Sequence, residues 1–293
     1  METVEQYFSR VRAENRRLME KNRADAFKRC PELEALEKEK GRLFIAHDIN
    51  ALRALRQKQK DLLSSLGLGE DALELPYTCP LCRDTGYTGD GVKVKCVCRL
   101  KREQLTFRAE ARISAGETFD SFRDDIYPDE EQKKRSEKIR AACEHYAETL
   151  PRPEKPQLVL LGMTGLGKSF FGNAIAARAA DRGIEARRIT AYGFIHEVTE
   201  SFTSGADPIG VYARVPLLVL DDLGTEPMLP NVTEPSLFSL IDRRLSEGLA
   251  TVYITNLSPK ELQLRFNERI ASRILQKDKT LAVLFTGESL RGR

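Results

Sequence analysis

The stretch that decides the fold is Gly162-Met163-Thr164-Gly165-Leu166-Gly167-Lys168-Ser169, which has the G-x-x-x-x-G-K-S spacing of a phosphate-binding loop. An apolar run at residues 158–161 leads into it, and a helix-forming run follows it. Glycines let backbone N–H groups curl around phosphate oxygens, and the following helix adds its positive N-terminal end. The alternative, a glycine turn with an incidental lysine, leaves this setting unexplained. The stretch therefore predicts a binding site for a nucleoside triphosphate.

Two side chains of the loop have the chemistry to hold a metal-bound triphosphate. Lys168 can reach the β- and γ-phosphates, and the hydroxyl of Ser169 can ligate Mg²⁺. The predicted nucleotide-binding residues of the loop and of the helix start are Gly162, Thr164, Gly165, Leu166, Gly167, Lys168, Ser169 and Phe170.

Further apolar runs follow the loop and are separated by segments of helix length. They lie at residues 217–220, 252–255 and 281–285, with a weaker candidate at 188–191. Continuous apolar runs of this kind are typical of a parallel sheet covered by helices on both faces. The sequence therefore predicts an α/β fold with a parallel-sheet core.

Two aspartates follow the second of these runs, in the pattern of a Walker B strand. Asp221 is expected at the strand's carboxyl end beside the loop, where it would hold Mg²⁺ together with Ser169. Asp222 is the candidate that orients and deprotonates the attacking water. Taken alone, such a pair is also compatible with an ordinary strand-ending turn.

Asn256 follows the run at residues 252–255, on a strand expected to lie next to the loop. Its side chain could fix the attacking water or the γ-phosphate. The alternative is that Asn256 caps the helix that begins near Ser258 and Pro259, and both roles are compatible.

Four of the six cysteines form a C-x₂-C pair, Cys79 and Cys82, and a C-x-C pair, Cys96 and Cys98. Four thiolates complete the tetrahedral shell of a structural Zn²⁺ ion. The glycines between the pairs suit a hairpin that folds one pair onto the other. Free or redox-active thiols and an iron–sulfur cluster are the alternatives.

A basic flank accompanies the cysteines, and the aromatic residues Tyr77, Tyr87 and Phe107 lie among its members. Its cations are Lys93, Lys95, Arg99, Lys101, Arg102, Arg108 and Arg112. Such a segment can follow phosphates and stack on the bases of single-stranded nucleic acid. A solvated surface or a protein-docking face are the alternatives.

Composition restricts the remaining classes of protein. The chain has 293 residues, of which 41% are hydrophobic and 31% charged, and its net charge of +3 does not indicate a nucleic-acid binder by itself. Its start does not resemble a signal peptide, and no apolar run approaches the ~20 residues of a membrane span. We therefore expect a cytoplasmic protein that does not contact membranes, with cysteines used as thiols or metal ligands rather than disulfides.

The predicted organisation has four parts. They are a helical N-terminal region at 1–75, interrupted near Pro31 and Gly41, a zinc module with its basic flank at 76–113, a linker with a charged helix at 114–156, and an ATPase domain at 157–293.

Residues 217–226, Leu-Leu-Val-Leu-Asp-Asp-Leu-Gly-Thr-Glu, resemble the Walker B signature of the DnaC/DnaI-type helicase loaders, AAA+ ATPases related to the IstB transposition helpers. Residues 255–258 are similar to the family's sensor 1 segment, 268–274 to its box VII helix, and 118–122 to its short aromatic motif. The resemblance covers residues 114–293 or so. Residues 1–113 resemble the family only in their overall layout.

This resemblance implies roles for two arginines. Arg273 would be an arginine finger that enters the nucleotide site of a neighbouring subunit, which makes hydrolysis depend on assembly. Arg269 is a rival for this role, and the alternatives for Arg273 are an exposed helix residue or a salt-bridge partner for Glu268. Arg291 resembles the sensor 2 position that contacts the γ-phosphate, and a basic, frayed terminus is the alternative.

The resemblance also implies a function. It predicts an ATP-dependent replicative helicase loader that binds ATP, Mg²⁺, single-stranded DNA and a hexameric helicase, and that self-associates through its AAA+ core. Because Asp222 stands where many relatives carry Glu, we expect slow hydrolysis. The alternatives are an IstB-like transposition helper that binds duplex DNA and a transposase, a small-molecule kinase, and an adapter that does not hydrolyse ATP.

Overall fold

The computed structural model describes residues 2–89, 91–110 and 116–291. The chain divides into two compact units, Met1–Lys101 and Arg102–Arg293. Arg112 of the predicted basic flank lies outside the described residues.

Three helices open the first unit: α1 (Val4–Arg29), α2 (Pro31–Ile45) and α3 (Ile49–Ser65). The predicted break at Pro31 is confirmed, because this proline begins α2, where its missing N–H costs nothing. The predicted break at Gly41 is wrong, since α2 continues through it. A glycine inside a helix costs only about 1 kcal/mol, and burial of Leu33 and Leu36 offsets that cost.

The cysteine pairs are joined by the predicted hairpin. Strands β1 (Tyr87–Thr88) and β2 (Val94–Lys95) are antiparallel and only two residues long each. Gly89 has a φ of 102°, and a Cβ there would lie 2.5 Å from the carbonyl oxygen of Val92. This turn therefore requires glycine. Helix α4 (Val97–Glu110) follows β2.

The second unit is built on a five-stranded parallel sheet. After a 3₁₀ turn (Phe119–Ser121), its elements are α5 (Glu130–Thr149), β3 (Gln157–Gly162), α6 (Lys168–Asp181), β4 (Ala186–Thr190), α7 (Ala191–Ser204), α8 (Pro208–Arg214), β5 (Leu217–Leu223), α9 (Thr233–Ser246), β6 (Ala250–Thr255), α10 (Pro259–Ile274) and β7 (Thr280–Phe285). The strand order is β4-β5-β6-β3-β7.

Both faces of this sheet are covered, as the continuous apolar runs predict. Leu158 and Leu160 of β3 belong to one core cluster, and Val159 and Leu161 belong to another. Successive side chains of a strand point to opposite faces, so a strand buried on both faces must be apolar at every position. The α/β fold class and all five predicted strands are confirmed, including the weak candidate that becomes β4.

None of the described helices is long and apolar enough to cross a membrane.

Candidate functional site

The phosphate-binding loop joins β3 to α6 at the carboxyl edge of the sheet. Gly165 and Gly167 have φ values of 82° and 87°, which only glycine adopts without strain. These two positive φ values make the backbone turn sharply just before the first turn of α6. The loop conformation predicted from the glycine spacing is therefore present.

Lys168 is 5% exposed, and its ammonium group folds back onto its own loop. Its Nζ donates hydrogen bonds to the carbonyl oxygens of Gly162, at 2.7 Å, and Met163, at 2.6 Å. Burial lowers the pKa of Lys168, while the carboxylates of Asp221 and Asp222 oppose that shift. The ammonium group therefore lies beside the loop and is hydrogen-bonded to two carbonyl oxygens. An incoming anion can replace these carbonyl oxygens.

A cavity of about 490 Å³ opens next to the loop. Of the residues predicted from the sequence, it is lined by Thr164, Gly165, Gly167, Lys168, Ser169, Phe170, Asp222, Asn256 and Arg291. Gly162, Leu166 and Asp221 do not line it. Gly162 packs against Phe285, whose carbonyl oxygen would lie 2.3 Å from an added Cβ, and Leu166 is buried in the core.

The two aspartates at the end of β5 have different environments. Asp221 is fully buried, and its Oδ1 accepts from the hydroxyl of Ser169 at 3.3 Å and from the backbone N–H of Asp222 at 2.8 Å. The side chain of Asp222 is exposed to the cavity, although desolvation and the adjacent Asp221 carboxylate raise its pKa. The carboxylate of Asp221 is therefore hydrogen-bonded to the start of α6, and the carboxylate of Asp222 faces the cavity.

Asn256 lies directly after β6, the strand between β3 and β5, and its side chain faces the same cavity. The alternative that Asn256 caps α10 is wrong. Ser258 is the N-cap residue, because its hydroxyl accepts from the N–H of Glu261, whose carboxylate in turn accepts from the N–H of Ser258.

Arg291 is brought to the cavity by the segment that follows β7. The N–H of Leu290 donates to the carbonyl oxygen of Gly165 at 2.8 Å. Gln132 exchanges two hydrogen bonds with the backbone of Glu288, at 2.9 and 3.0 Å. The chain up to Arg291 is thus tied to the loop and to α5, which contradicts the frayed-terminus alternative.

The structure also places residues around the cavity that the sequence did not mark as site residues, among them Glu117, Phe122, Ile126, Tyr127 and Arg188. The first four line it, and the ring of Phe122 packs 6.0 Å from those of Tyr127 and Phe171. The aromatic motif at residues 118–122 could have indicated the apolar end of the cavity, where Phe122 and Tyr127 lie. Arg188 carried no signal, and it donates to Oδ2 of Asp221 at 2.5 Å.

Arg273 lies away from the cavity of its own chain. Its Nε donates to Asp242 at 2.5 Å, and its guanidinium lies 4.5 Å from the ring centroid of Phe238. The alternative of a salt bridge to Glu268 is therefore wrong. Arg269, the rival finger, stacks at 4.5 Å on the same ring.

The four cysteines of the predicted zinc module form one cluster. The Sγ atoms of Cys79, Cys82, Cys96 and Cys98 all lie within 4.8 Å of one another, with pairs at 3.8 and 3.4 Å. Tetrahedral Zn–S bonds of about 2.3 Å require sulfur atoms about 3.8 Å apart. Hydrogen bonds from the backbone of Cys82 and from the neighbouring thiols lower the pKa of Cys79 to about 7, whereas burial raises the pKa of Cys82 and of Cys98.

Part of the basic flank is used in contacts within each unit. Arg99 is buried, pairs with Glu5 and stacks 4.5 Å from the ring centroid of Tyr87. Arg108 pairs with Asp181, with Nε at 2.8 Å from one carboxylate oxygen. These contacts favour a structural role for those two cations over a phosphate-binding one.

The chain is similar in sequence and in fold to several known proteins. A family model described as IstB-like ATP-binding protein matches residues 97–293. The replicative helicase loader DnaI of Bacillus subtilis (strain 168) is 30% identical over 111 residues, which are 37% of this chain and 36% of that protein. The chain thus aligns with about a third of the length of this curated relative.

Among solved structures, AMPPCP-bound DnaA from Aquifex aeolicus matches with a TM-score of 0.51 and 19% identity, over 61% of this chain and 53% of that chain. The crystal structure of the DnaC helicase loader matches with a TM-score of 0.49 and 21% identity, over 58% of this chain and 96% of that chain. The similarity to DnaA shows a shared fold.

Proposed function

The chain belongs to the IstB-like ATP-binding protein family, and on that premise we propose that it is an ATP-dependent loader of a replicative DNA helicase. The observation that carries the proposal is the convergence of Lys168, Ser169 and Asp222 on one cavity at the carboxyl edge of the sheet, with the buried Asp221 bonded to Ser169 beside it. The similarity to the helicase loader DnaI supports the proposed loading role.

The loop would bind the triphosphate of ATP through its backbone N–H groups. Lys168 would exchange the carbonyl oxygens of its own loop for phosphate oxygens, which are stronger partners for a cation. Mg²⁺ prefers oxygen ligands, and the hydroxyl of Ser169 and the carboxylate of Asp221 are such ligands, 3.3 Å apart. The apolar end of the cavity, with Phe122 and Tyr127, suits the base.

For hydrolysis, Asp222 and Asn256 would orient the attacking water, with Asp222 as its base. The raised pKa of Asp222 suits a proton acceptor, because a more basic carboxylate accepts a proton more readily. Mg²⁺ would neutralise charge on the phosphates, and Arg291 would contact the γ-phosphate from the same chain.

Arg273 would complete the site of a neighbouring subunit. Its distance from its own cavity supports a role in trans, since Asp242 and Phe238 already hold its guanidinium on the surface of α9 and α10. Turnover would then require self-association through the AAA+ core and would be slow in the isolated chain.

The first unit would be the adapter that contacts the helicase. Its four thiolates would hold a structural Zn²⁺, which fixes the hairpin that the two short strands cannot stabilise alone. In this proposal the assembly binds single-stranded DNA and acts in the cytoplasm.

Nucleotide binding is tested with a fluorescent ATP analogue. Lys168→Ala should abolish binding, and Lys138→Ala, which changes an exposed lysine of α5, should leave it unchanged. Asp222→Asn should retain binding and lose phosphate release. Equal affinity of Lys168→Ala and wild-type protein would refute the proposed site, and a basal turnover at or above the ordinary enzyme value of ~10 s⁻¹ would refute slow hydrolysis.

Helicase loading is tested by co-purifying the chain with the host's replicative helicase, with and without ATP. We expect a complex whose stability depends on ATP and is changed by Lys168→Ala. A transposase complex on duplex DNA would instead favour the transposition helper, and phosphate transfer to a metabolite would favour a kinase. Adding Arg273→Ala protein to wild-type protein should lower turnover without lowering nucleotide binding.

A further inference from the structure

Arg188 lies at the nucleotide site, and the roles proposed above leave it without a function. It belongs to β4, which pairs in parallel with β5, so that its side chain reaches the end of the Walker B strand. Its Nη2 lies 2.5 Å from Oδ2 of Asp221, whose side chain is 1% exposed. A charge-assisted hydrogen bond to a buried carboxylate is among the stronger polar contacts in proteins.

This contact engages the carboxylate of Asp221 on both oxygens. Oδ1 accepts from Ser169 and from the N–H of Asp222, and Oδ2 accepts from Arg188. Asp221 is therefore oriented and its charge compensated by the protein itself. A divalent ion at Ser169 would lie next to a carboxylate that already has a cationic partner.

The charges around the cavity lead to the same conclusion. Three cations, Lys168, Arg188 and Arg291, are matched by the three carboxylates Asp221, Asp222 and Glu117 in and beside the cavity. The protein's own cations therefore compensate these carboxylates without a metal. Arg188 in particular disfavours a divalent cation at Asp221, because like charges a few ångströms apart in a partly buried site interact strongly.

We propose that Arg188 is a positioning residue that fixes Asp221 and keeps the contribution of Mg²⁺ to nucleotide affinity small. The inference rests on the proposed nucleotide site and adds a property to it: the protein binds free ATP and Mg²⁺–ATP with similar affinity. Binding and metal-dependent hydrolysis are then separate events, and ATP can be retained before the ion is in place.

The test is the ratio of two dissociation constants for a fluorescent ATP analogue, one measured with EDTA and the other with excess Mg²⁺. In the wild type the two values should agree within about threefold, and in Arg188→Met the ratio should rise at least about tenfold. The matched control is Arg187→Met, which removes the neighbouring arginine that pairs with Glu185 at 3.5 Å. It should keep the wild-type ratio.

Two more variants separate charge from folding. Arg188→Lys keeps the positive charge and should keep a low ratio, whereas Arg188→Gln keeps a donor without charge and should raise the ratio if Arg188→Met fails to fold. An unchanged ratio in a folded, uncharged variant, or strong Mg²⁺ dependence in the wild type, would overturn the inference alone. Absence of nucleotide binding in the wild type would overturn the proposed function as well.

Discussion

The unit Arg102–Arg293 buries two large apolar clusters on the two faces of one sheet, whereas the apolar cluster among the described residues of Met1–Lys101 has four buried members. The first unit compensates with polar contacts. Asp84, 2% exposed, accepts from the backbone of Thr78 and Cys79 and from Asn15. A large core stabilises by burying area, while a small module needs specific bonds or a metal.

The largest expected effect comes from removing the metal that we propose for the first unit. A chelator, or Cys82→Ser, should unfold the cysteine hairpin and leave the second unit folded, because structural zinc contributes on the order of 10 kcal/mol. The readout is metal content per chain together with backbone hydrogen exchange in each unit. Cys30→Ser, a change of a thiol outside the cluster, should retain the metal. If backbone hydrogen exchange in the hairpin stayed unchanged after metal removal, the idea that the first unit depends on a metal and the second on its apolar core would be wrong.

The second-largest effect on stability is expected from the buried side chain of Arg244 in the second unit. Arg244 is fully buried, and it donates to the carbonyl oxygens of Tyr212, Val215 and Ala250 at 2.6–2.9 Å. Burial lowers its pKa to about 10. Arg244→Met should lower the free energy of unfolding by about 3 kcal/mol, since it leaves buried carbonyls without donors.

Urea unfolding of the second unit measures this loss. The matched control is Arg243→Met, which removes a neighbouring exposed arginine that lies 3.4 Å from Glu247 and should change stability by less than about 1 kcal/mol. Equal effects of the two variants would show that the second unit depends on apolar packing alone.

A smaller effect is expected for Asp84, the polar centre of the first unit. Asp84→Ala removes the acceptor for three donors without changing a thiol, so we expect a loss of about 2 kcal/mol. Thermal unfolding of the metal-loaded protein measures it. Asp71→Ala, at an exposed position, serves as the control and should have little effect. A negligible loss in Asp84→Ala would mean that the metal cluster alone holds the hairpin.

The smallest effect tests local helix chemistry. Asp48 caps α3 by accepting from the N–H of Ala51 at 3.0 Å, and Asp48→Ala should cost about 1 kcal/mol. Asp25→Ala, inside α1 on an exposed face, should be neutral within about 0.5 kcal/mol. Helicity at raised temperature, followed by circular dichroism, distinguishes the two variants. Similar melting curves would show that the packing of α2 on α3 outweighs the cap.

Much of the site was predictable because its residues occupy fixed places relative to local patterns. The loop glycines, Lys168 and Ser169 are contiguous with a strand and a helix. Asp222 lies near the end of β5 and Asn256 directly after β6, and each follows a recognisable apolar run. The carboxyl ends of parallel strands meet at one edge, so strand ends that are far apart in the sequence converge on the same cavity.

The failures of prediction have a different origin. Arg188 and Arg244 look like ordinary charged residues in the sequence, and their roles depend on partners on other elements. Gly41 looks like a helix break, but packing of the helix overrides its propensity. In each case the deciding energy comes from a contact that no local pattern encodes.

The sequence by itself determined the parallel sheet, the phosphate-binding loop, the acidic strand end and the two cysteine pairs, because periodicity, glycine spacing and ligand spacing are local properties. Only the tertiary structure decided that Arg188 holds Asp221, that the segment before Arg291 ties back to Gly165, and that Arg273 lies away from its own cavity. These are contacts between side chains whose distance is set by strand order and helix packing, and those follow from the whole fold rather than from any short stretch.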